Sequence, residues 1–174
     1  MKKILIVYAT KTGSTATAAG LLAEKLTGRD VTLCTTDAPK ADPTGYDIVV
    51  VGGCIRFSKL YKPVREYLKK WDAVLTDKQT AYFLLCGYPD NADEYYDKIL
   101  TDAQRERAME LACLGGEMVP AHAKSLLDKL VLKIERDNIL GGGHNGDQRE
   151  GMVLPTISES NIEQLAVKLK AISL

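Results

Sequence analysis

The sequence lacks the residue clusters that most metal sites and disulfide frameworks need. It has four cysteines and two histidines in 174 residues, and no two cysteines are spaced as Cys-x-x-Cys. Neither His122 nor His144 has a partner at a spacing typical of metal ligands. We therefore expect no bound metal. We expect Cys34, Cys86 and Cys113 to pack as small apolar residues in or beside strands.

An excess of charge and long hydrophobic runs are also missing. Lys plus Arg and Asp plus Glu number 23 each, so we expect no nucleic-acid partner and no acidic field that steers the chain onto a basic partner. The longest apolar runs have only the length of a strand, so we expect neither a membrane-spanning helix nor a secretory signal. Because Met1 is followed closely by the first strand, we expect a cytoplasmic protein. The length predicts a single domain, 1–174.

Several motifs of phosphate chemistry are absent. There is no Gly-x-x-x-x-Gly-Lys-Ser/Thr, which excludes the usual nucleoside triphosphate loop. No Gly-x-Gly-x-x-Gly follows a strand, which excludes the common dinucleotide fingerprint. No cysteine has an arginine six residues later, as a cysteine phosphatase needs. A receiver domain would need carboxylates after the first and third strands, where the sequence has Tyr8-Ala9-Thr10 and Gly52-Gly53.

One segment that is present has an unusual composition. Ile4–Val7 is a continuous apolar run, typical of a central parallel strand that is covered on both faces. Six residues rich in hydroxyl groups follow and lead into a helix: Thr10, Lys11, Thr12, Gly13, Ser14 and Thr15. Free N–H groups, the helix dipole and neutral hydroxyl donors at such a position predict a site for a phosphate monoester. The alternative is an ordinary capped helix start, although a single cap residue is enough for that.

Hydrophobic periodicity predicts alternating strands and helices along the chain. The predicted strands are Ile4–Val7, Val31–Thr36, Ile48–Val51, Thr80–Leu85 and Cys113–Val119. The predicted helices are residues 14–27, 63–71, 101–112, 124–136 and 158–172, the last of them capped at Thr156 or Ser160.

The pattern Thr10-x-Thr12-Gly13-x-Thr15 after an apolar strand resembles the FMN-phosphate loop of the flavodoxin family. This resemblance implies an α/β fold, a flavodoxin-like three-layer sandwich around a five-stranded parallel sheet in the order 2-1-3-4-5. It also implies FMN at the crevice where the strand order reverses. The residues at about 120–155, between the fifth predicted strand and the last helix, predict a helical insertion.

The same resemblance implies that two further loops flank the flavin ring. The first follows the third strand and comprises Gly53, Cys54, Ile55, Arg56 and Phe57; the second follows the fourth strand and comprises Leu85, Cys86, Gly87 and Tyr88. Ile55 and Phe57 offer faces for the ring, and the charge of Arg56 would stabilise an anionic reduced flavin. Tyr88 is the stacking candidate. As alternatives, Arg56 lies solvated in a surface loop, and Gly87 with Pro89 forms an ordinary turn.

Three segments together are similar to the menaquinone-dependent protoporphyrinogen dehydrogenase branch of this family. They are Val49–Phe57, Val64–Lys70 and Leu127–Lys133. This similarity implies FMN-dependent transfer of hydride or electrons from a porphyrinogen to a quinone.

The predicted insertion helix has two interpretations. It is either a cover helix at the sheet edge, or an amphipathic flap that contacts a hydrophobic substrate, a quinone or a membrane surface through Lys124–Arg136. The acidic residues Asp128, Glu135 and Asp137 reduce the net positive charge of this helix.

Three functional hypotheses follow from these observations. The first is an FMN oxidoreductase that acts on a small hydrophobic substrate such as protoporphyrinogen, with a quinone as acceptor. The second is an electron carrier that passes electrons between redox partner proteins, and the third is a flavodoxin-shaped domain without flavin. No catalytic acid or base stands out. The zero net charge and the late helix favour the enzyme.

Overall fold

The computed structural model describes residues 2–35, 41–117, 125–139 and 154–172. Five parallel strands form its central sheet: β1 (Lys3–Tyr8), β2 (Asp30–Thr35), β3 (Ile48–Arg56), β5 (Gln79–Leu85) and β6 (Ala108–Cys113). Their order in space is β2-β1-β3-β5-β6, with the short strand β4 (Lys59–Leu60) paired antiparallel to the end of β3. The predicted order of five parallel strands is confirmed, and β4 is an addition to it.

Helices cover both faces of this sheet. Helices α1 (Ser14–Lys25) and α6 (Glu159–Ile172) pack on one face, and α2 (Lys62–Thr76) and α3 (Ala92–Ile99) pack on the other. Two further helices, α4 (Asp102–Arg107) and α5 (Leu126–Ile139), contribute no described residue to the buried core on either face. Successive residues of β1 point to opposite faces: Ile4 packs with α1 and α6, whereas Leu5 packs with α2 and α3. Because both faces are buried, the central strands carry continuous apolar runs, and the expected three-layer sandwich is confirmed.

Two adjacent glycines let the centre of the sheet pack closely. A Cβ at Gly52 would lie 1.9 Å from Cζ of Phe83, which is fully buried on the neighbouring strand. A Cβ at Gly53 would lie 2.6 Å from Cδ1 of Leu60. Strand β3 continues past these glycines to Arg56, five residues beyond the predicted end at Val51. The first four residues of the predicted ring loop after this strand, Gly53 to Arg56, therefore belong to the strand itself.

The prediction for residues 101–117 was wrong in part. The capping box between Thr101 and Gln104 starts a helix as expected, but α4 ends at Arg107 and the fifth strand occupies Ala108–Cys113. Ala, Met, Glu and Leu at 108–111 are good helix formers, which is why the pattern indicated a continued helix. Pairing with β5 on the open edge of the sheet overrides that preference.

The late helices were predicted more closely. Helix α5 begins at Leu126, inside the expected insertion. Residues 120–124 and 140–153 of that insertion lie outside the described residues, as do residues 118–119 before it. Helix α6 begins one residue after Ser158, whose hydroxyl accepts a hydrogen bond from the backbone N–H of Asn161 at 3.2 Å. Ser158 is therefore the cap, and the predicted caps Thr156 and Ser160 were wrong. Across the described ranges, no helix combines the length and the hydropathy that crossing a membrane requires.

Candidate functional site

A cleft opens at the carboxyl ends of β1, β3 and β5, where ligands of open α/β sheets bind. The predicted site residues that line it are Thr12, Ser14, Thr15, Cys54, Ile55, Arg56, Phe57, Leu85, Cys86, Gly87 and Tyr88. Residues that the sequence analysis did not include also line it: Ser58, Tyr95, Gly116, Glu117 and Leu132. Segments that are distant in sequence thus meet at one place.

The turn after β1 presents an open helix start to the cleft. Gly13 has a φ of 101°, in the left-handed region that favours glycine, and its N–H donates to Oγ1 of Thr10 at 2.9 Å. Within the described ranges, no side chain caps α1. The free N–H groups of its first turn and the hydroxyls of Thr12 and Ser14 therefore form a donor set suited to an anion.

A carboxylate already lies beside this donor set. The hydroxyl of Ser14 donates to Oε2 of Glu117 at 2.9 Å. Glu117 follows β6 in the turn that also contains Gly116, where a Cβ would lie 2.1 Å from the carbonyl oxygen of Cys86. Close packing of that turn against the end of β5 therefore sets where Glu117 lies.

Four predicted site residues do not line the cleft. Thr10 supports the turn through its bond with Gly13, and Gly13 provides the left-handed backbone. Gly53 packs under Leu60 on the opposite side of β3. Lys11 points to the late helix, where its Nζ lies 3.0 Å from Oδ2 of Asp128.

Asp128 joins α5 to two of the three predicted cofactor loops. Its carboxylate pairs with Lys11 of the first turn and, at 2.5 Å, with Nη2 of Arg56 at the end of β3. The side chain of Asp128 is only 8% exposed, against 18% for Arg56 and 40% for Lys11. The hydroxyl of Ser125 donates to Asp128 at 2.7 Å and accepts from its N–H at 3.1 Å. The bond from Ser125, followed by the bond from Lys11 and the charge of Arg56, lowers the pKa of Asp128 to about 2.

The sequence analysis assigned no such role to Asp128. Its only local signal was Ser125-x-x-Asp128, a pattern of helix starts. The partners in the ion pairs lie far away in sequence, with Arg56 and Asp128 72 positions apart. One turn further along α5, Leu132 lines the cleft. Helix α5 therefore lies beside the cleft.

A tight hairpin places Phe57 at the rim of the cleft. Arg56 pairs with Lys59, which leaves Phe57 and Ser58 as the two turn residues, with φ values of 49° and 57°. Left-handed conformations at both central positions are typical of a type I′ hairpin, where Asn-Gly would be the usual pair. A bulky residue there is strained, and such strain is common at functional sites. Phe57 is 65% exposed.

The thiol of Cys54, which lines the cleft, is neutral at physiological pH. Burial raises the pKa of the Cys54 thiol above its ordinary value, with the charge of Arg56 and a hydrogen bond with Thr15 opposing it. In the described part of the chain, no three His, Cys, Asp or Glu side chains come close enough together to hold a metal ion.

Comparisons with known proteins agree with this geometry. The chain is similar to flavodoxin 1 from Bacillus cereus, with 18% identity, a TM-score of 0.52, and coverage of 80% of this chain and 98% of that one. A Fusobacterium nucleatum flavodoxin bound to flavin mononucleotide matches with 13% identity and a TM-score of 0.51, over 80% and 97% of the two chains. Rubredoxin oxygen:oxidoreductase from Desulfovibrio gigas matches with 16% identity and a TM-score of 0.52, over 97% of this chain and 37% of that one.

At these identities the structures show the fold alone. No curated protein matches the sequence. The family model described as a flavodoxin domain matches residues 5–134, which is most of the chain. This protein therefore belongs to the flavodoxin family.

Proposed function

We propose that this protein binds FMN in the cleft and transfers electrons through it. One observation carries the proposal: the uncapped start of α1 shares a single cleft with the ends of β3 and β5. A nucleotide needs such a combination, because its phosphate requires clustered donors and its ring requires an apolar slot. FMN, when bound, supplies one-electron and two-electron chemistry.

The turn would hold the phosphate mainly through uncharged donors. The hydroxyls of Thr12 and Ser14 and the first N–H groups of α1 are available for it. Lys11 contributes little because Asp128 neutralises it. A phosphate would compete with the carboxylate of Glu117 for the Ser14 hydroxyl, since two anions at one donor repel each other. Binding of FMN therefore moves Glu117 away from Ser14.

The loops after β3 and β5 would hold the ring. Ile55 lines the cleft from β3, Tyr88 lines it from the loop after the neighbouring strand β5, and Leu132 lines it from α5. The positive charge of Arg56 at this place favours an anionic reduced ring, and Asp128 offsets that charge. Asp128 thus reduces the effect of Arg56 on the reduction potential of the flavin.

Electrons would pass to or from a redox partner protein at the rim. Electron transfer through a bound flavin needs no catalytic acid or base, because the cofactor carries the chemistry. The exposed ring of Phe57 beside the cleft gives such a partner an apolar contact. The net charge of zero predicts that this association depends little on ionic strength.

The test compares FMN with riboflavin, which lacks the phosphate. Two charge-assisted hydrogen bonds to the phosphate would contribute about 3 kcal/mol, so we expect FMN to bind about 100-fold more tightly. The variants Thr12→Val and Ser14→Ala should each reduce this ratio about tenfold, while the affinity for riboflavin stays constant. Thr27→Val, beyond the far end of α1, is the matched control. Equal affinities for the two flavins would contradict the proposal.

A second candidate is the oxidation of a small hydrophobic substrate such as protoporphyrinogen, with a quinone as electron acceptor. Helix α5 favours it, because Leu132 reaches into the cleft while Leu126, Leu130 and Ile134 stay exposed along the same helix. An apolar helix beside the ring suits a hydrophobic substrate better than a pure electron carrier.

Reduction kinetics distinguish the two candidates. Turnover of protoporphyrinogen with a quinone acceptor supports the enzyme, whereas reduction by a reductase protein alone supports the carrier. The expected membrane contact of Lys124–Arg136 would accompany the enzyme, since quinones reside in membranes. Sedimentation with anionic vesicles tests that contact, and Lys129→Glu should weaken it.

A further inference from the structure

Two cysteine thiols lie in contact beside the cleft. The sulfur atoms of Cys86 and Cys113 are 3.8 Å apart, at the carboxyl ends of the neighbouring strands β5 and β6. Cys86 lines the cleft, and Cys113 lies behind it. The distance equals a van der Waals contact between sulfurs, and neither residue forms a disulfide. No step of the proposed flavin function uses this pair.

The sheet places both thiols on one face. Cys113 pairs with Leu84, two residues before Cys86, so the two cysteines are diagonal neighbours on the same side of the two strands. Hydrogen bonds fix the backbone around them: the N–H of Cys86 donates to the carbonyl of Gly115 at 2.9 Å, and the amide of Asn161 donates to the carbonyl of Cys113 at 2.8 Å. A disulfide bond is about 2.0 Å long, so its formation needs the sulfurs to approach by less than 2 Å, roughly the reach of two side-chain rotations.

The pair is prepared for thiol chemistry. The S–H of Cys86 stabilises a thiolate on Cys113, which lowers the pKa of Cys113 and raises the pKa of Cys86. The carbonyl oxygen of Tyr88 lies 3.4 Å from the sulfur of Cys86, on the side of the cleft. A thiolate next to a thiol is the arrangement from which dithiols are oxidised most readily.

Cys54 serves as an internal comparison. It also lines the cleft, but burial raises its pKa, and its neighbours are Thr15 and Arg56 rather than a second sulfur. Among the described residues, no second cysteine is bonded to Cys54. The distinctive feature of Cys86 and Cys113 is therefore their contact, and not the presence of a cysteine near the cleft.

We propose that Cys86 and Cys113 form a dithiol–disulfide couple that exchanges two electrons with the flavin in the adjoining cleft. The inference rests on the proposed binding of FMN. In the oxidative direction the two S–H bonds break and one S–S bond forms. The two electrons and two protons pass to the oxidised flavin, which becomes the reduced flavin. In the reverse direction the reduced flavin returns them and the disulfide opens.

The couple would give the protein a second store of two electrons next to the cofactor. A flavin alone holds two electrons, so the flavin with the dithiol holds four. The natural partner for such a store is a protein or small molecule that itself carries a disulfide, because thiol–disulfide exchange at Cys86 needs only access through the cleft.

The first part of the experiment uses the protein without FMN. Wild-type apoprotein is equilibrated in glutathione redox buffers, quenched with an alkylating agent and analysed by peptide mass spectrometry. We expect one disulfide, between the peptides that contain Cys86 and Cys113, and none in Cys113→Ser. Cys34→Ser, which changes the cysteine on β2, is the control and should retain the disulfide. Absence of the Cys86–Cys113 disulfide in the wild type would overturn the inference and leave the proposed FMN binding intact.

The second part uses the protein loaded with FMN. After oxidation, an anaerobic reductive titration should consume about four electron equivalents per flavin in the wild type and in Cys34→Ser. It should consume about two in Cys113→Ser, which does not change a residue that lines the cleft. Consumption of two equivalents by the wild type, with the disulfide still present afterwards, would overturn the exchange with the flavin. Failure of FMN to bind would instead contradict the proposed function.

Discussion

Removal of the charge of Asp128 should release α5 from the cleft without unfolding the sheet. In Asp128→Asn the side chain keeps its size and its bond with Ser125, but it loses its ionic attraction to Lys11 and Arg56. The described contacts that hold α5 to the cofactor loops are centred on this one carboxylate. The variant therefore tests the attachment of the helix rather than the stability of the whole fold.

The size of the effect follows from the geometry. A carboxyl group whose pKa falls from 3.8 to about 2 on folding contributes about 2 kcal/mol at neutral pH. Solvent screens part of the attraction at Lys11, which is 40% exposed, whereas Arg56 is well shielded. We therefore expect a loss of about 1 to 2 kcal/mol, which corresponds to about 5-fold to 30-fold more frequent opening of the helix.

Hydrogen exchange followed by mass spectrometry measures this opening at pH 7. Amides of α5 in Asp128→Asn should exchange about 5-fold to 30-fold faster than in the wild type, while amides of β1 and β3 keep their rates. Asp137→Asn is the matched control, because Asp137 is an exposed acid on the same helix. Unchanged exchange of α5 in Asp128→Asn would refute the idea that the ion pairs attach this helix.

Three further predictions concern the same structure. Because the folded pKa of Asp128 is about 2, below its ordinary 3.8, its contribution is complete above pH 4 and is lost as the pH falls towards 2. The ratio of the rate at which pepsin cuts α5 in the wild type to the rate in Asp128→Asn should therefore rise as the pH decreases over that range. A ratio that stays constant would contradict this. Gly52→Ala should lower the free energy of unfolding by about 3 kcal/mol in urea, since its Cβ would lie 1.9 Å from the ring of Phe83. The control Gly20→Ala, where a Cβ meets nothing within 4 Å, should not destabilise the protein. Tyr96→Phe should cost about 1 to 2 kcal/mol by the same assay, because the buried Tyr96 hydroxyl bonds the carbonyl of Ala112 at 2.7 Å and lies 3.1 Å from that of Tyr82. Equal stability of Tyr96→Phe and the wild type would show that these bonds contribute nothing.

The parts of the fold that local sequence determines could be predicted. The runs Ile4–Val7 and Ile48–Val51 are apolar at every position because the sheet is covered on both faces, and this pattern alone places them at its centre. The strand order came from the resemblance of the Thr10–Thr15 turn to a known loop. Residues of that turn and of both predicted ring loops do meet at one cleft.

The parts that depend on distant contacts could not. Residues 108–113 carry helix-forming side chains and become a strand only through pairing with β5. The role of Asp128 depends on Lys11 and Arg56, and nothing within its own helix indicates them. The contact of Cys86 with Cys113 likewise needs the order of the strands, because 27 residues separate the two thiols along the chain.

The central claim is that the open start of α1 and the two neighbouring loops form one FMN site. Calorimetric titration of the apoprotein with FMN tests it most directly. The account predicts binding heat with one FMN per chain and a dissociation constant at or below about 1 μM, which corresponds to about 8 kcal/mol of binding free energy. A titration without heat, and without any rise in the melting temperature on addition of FMN, would contradict it.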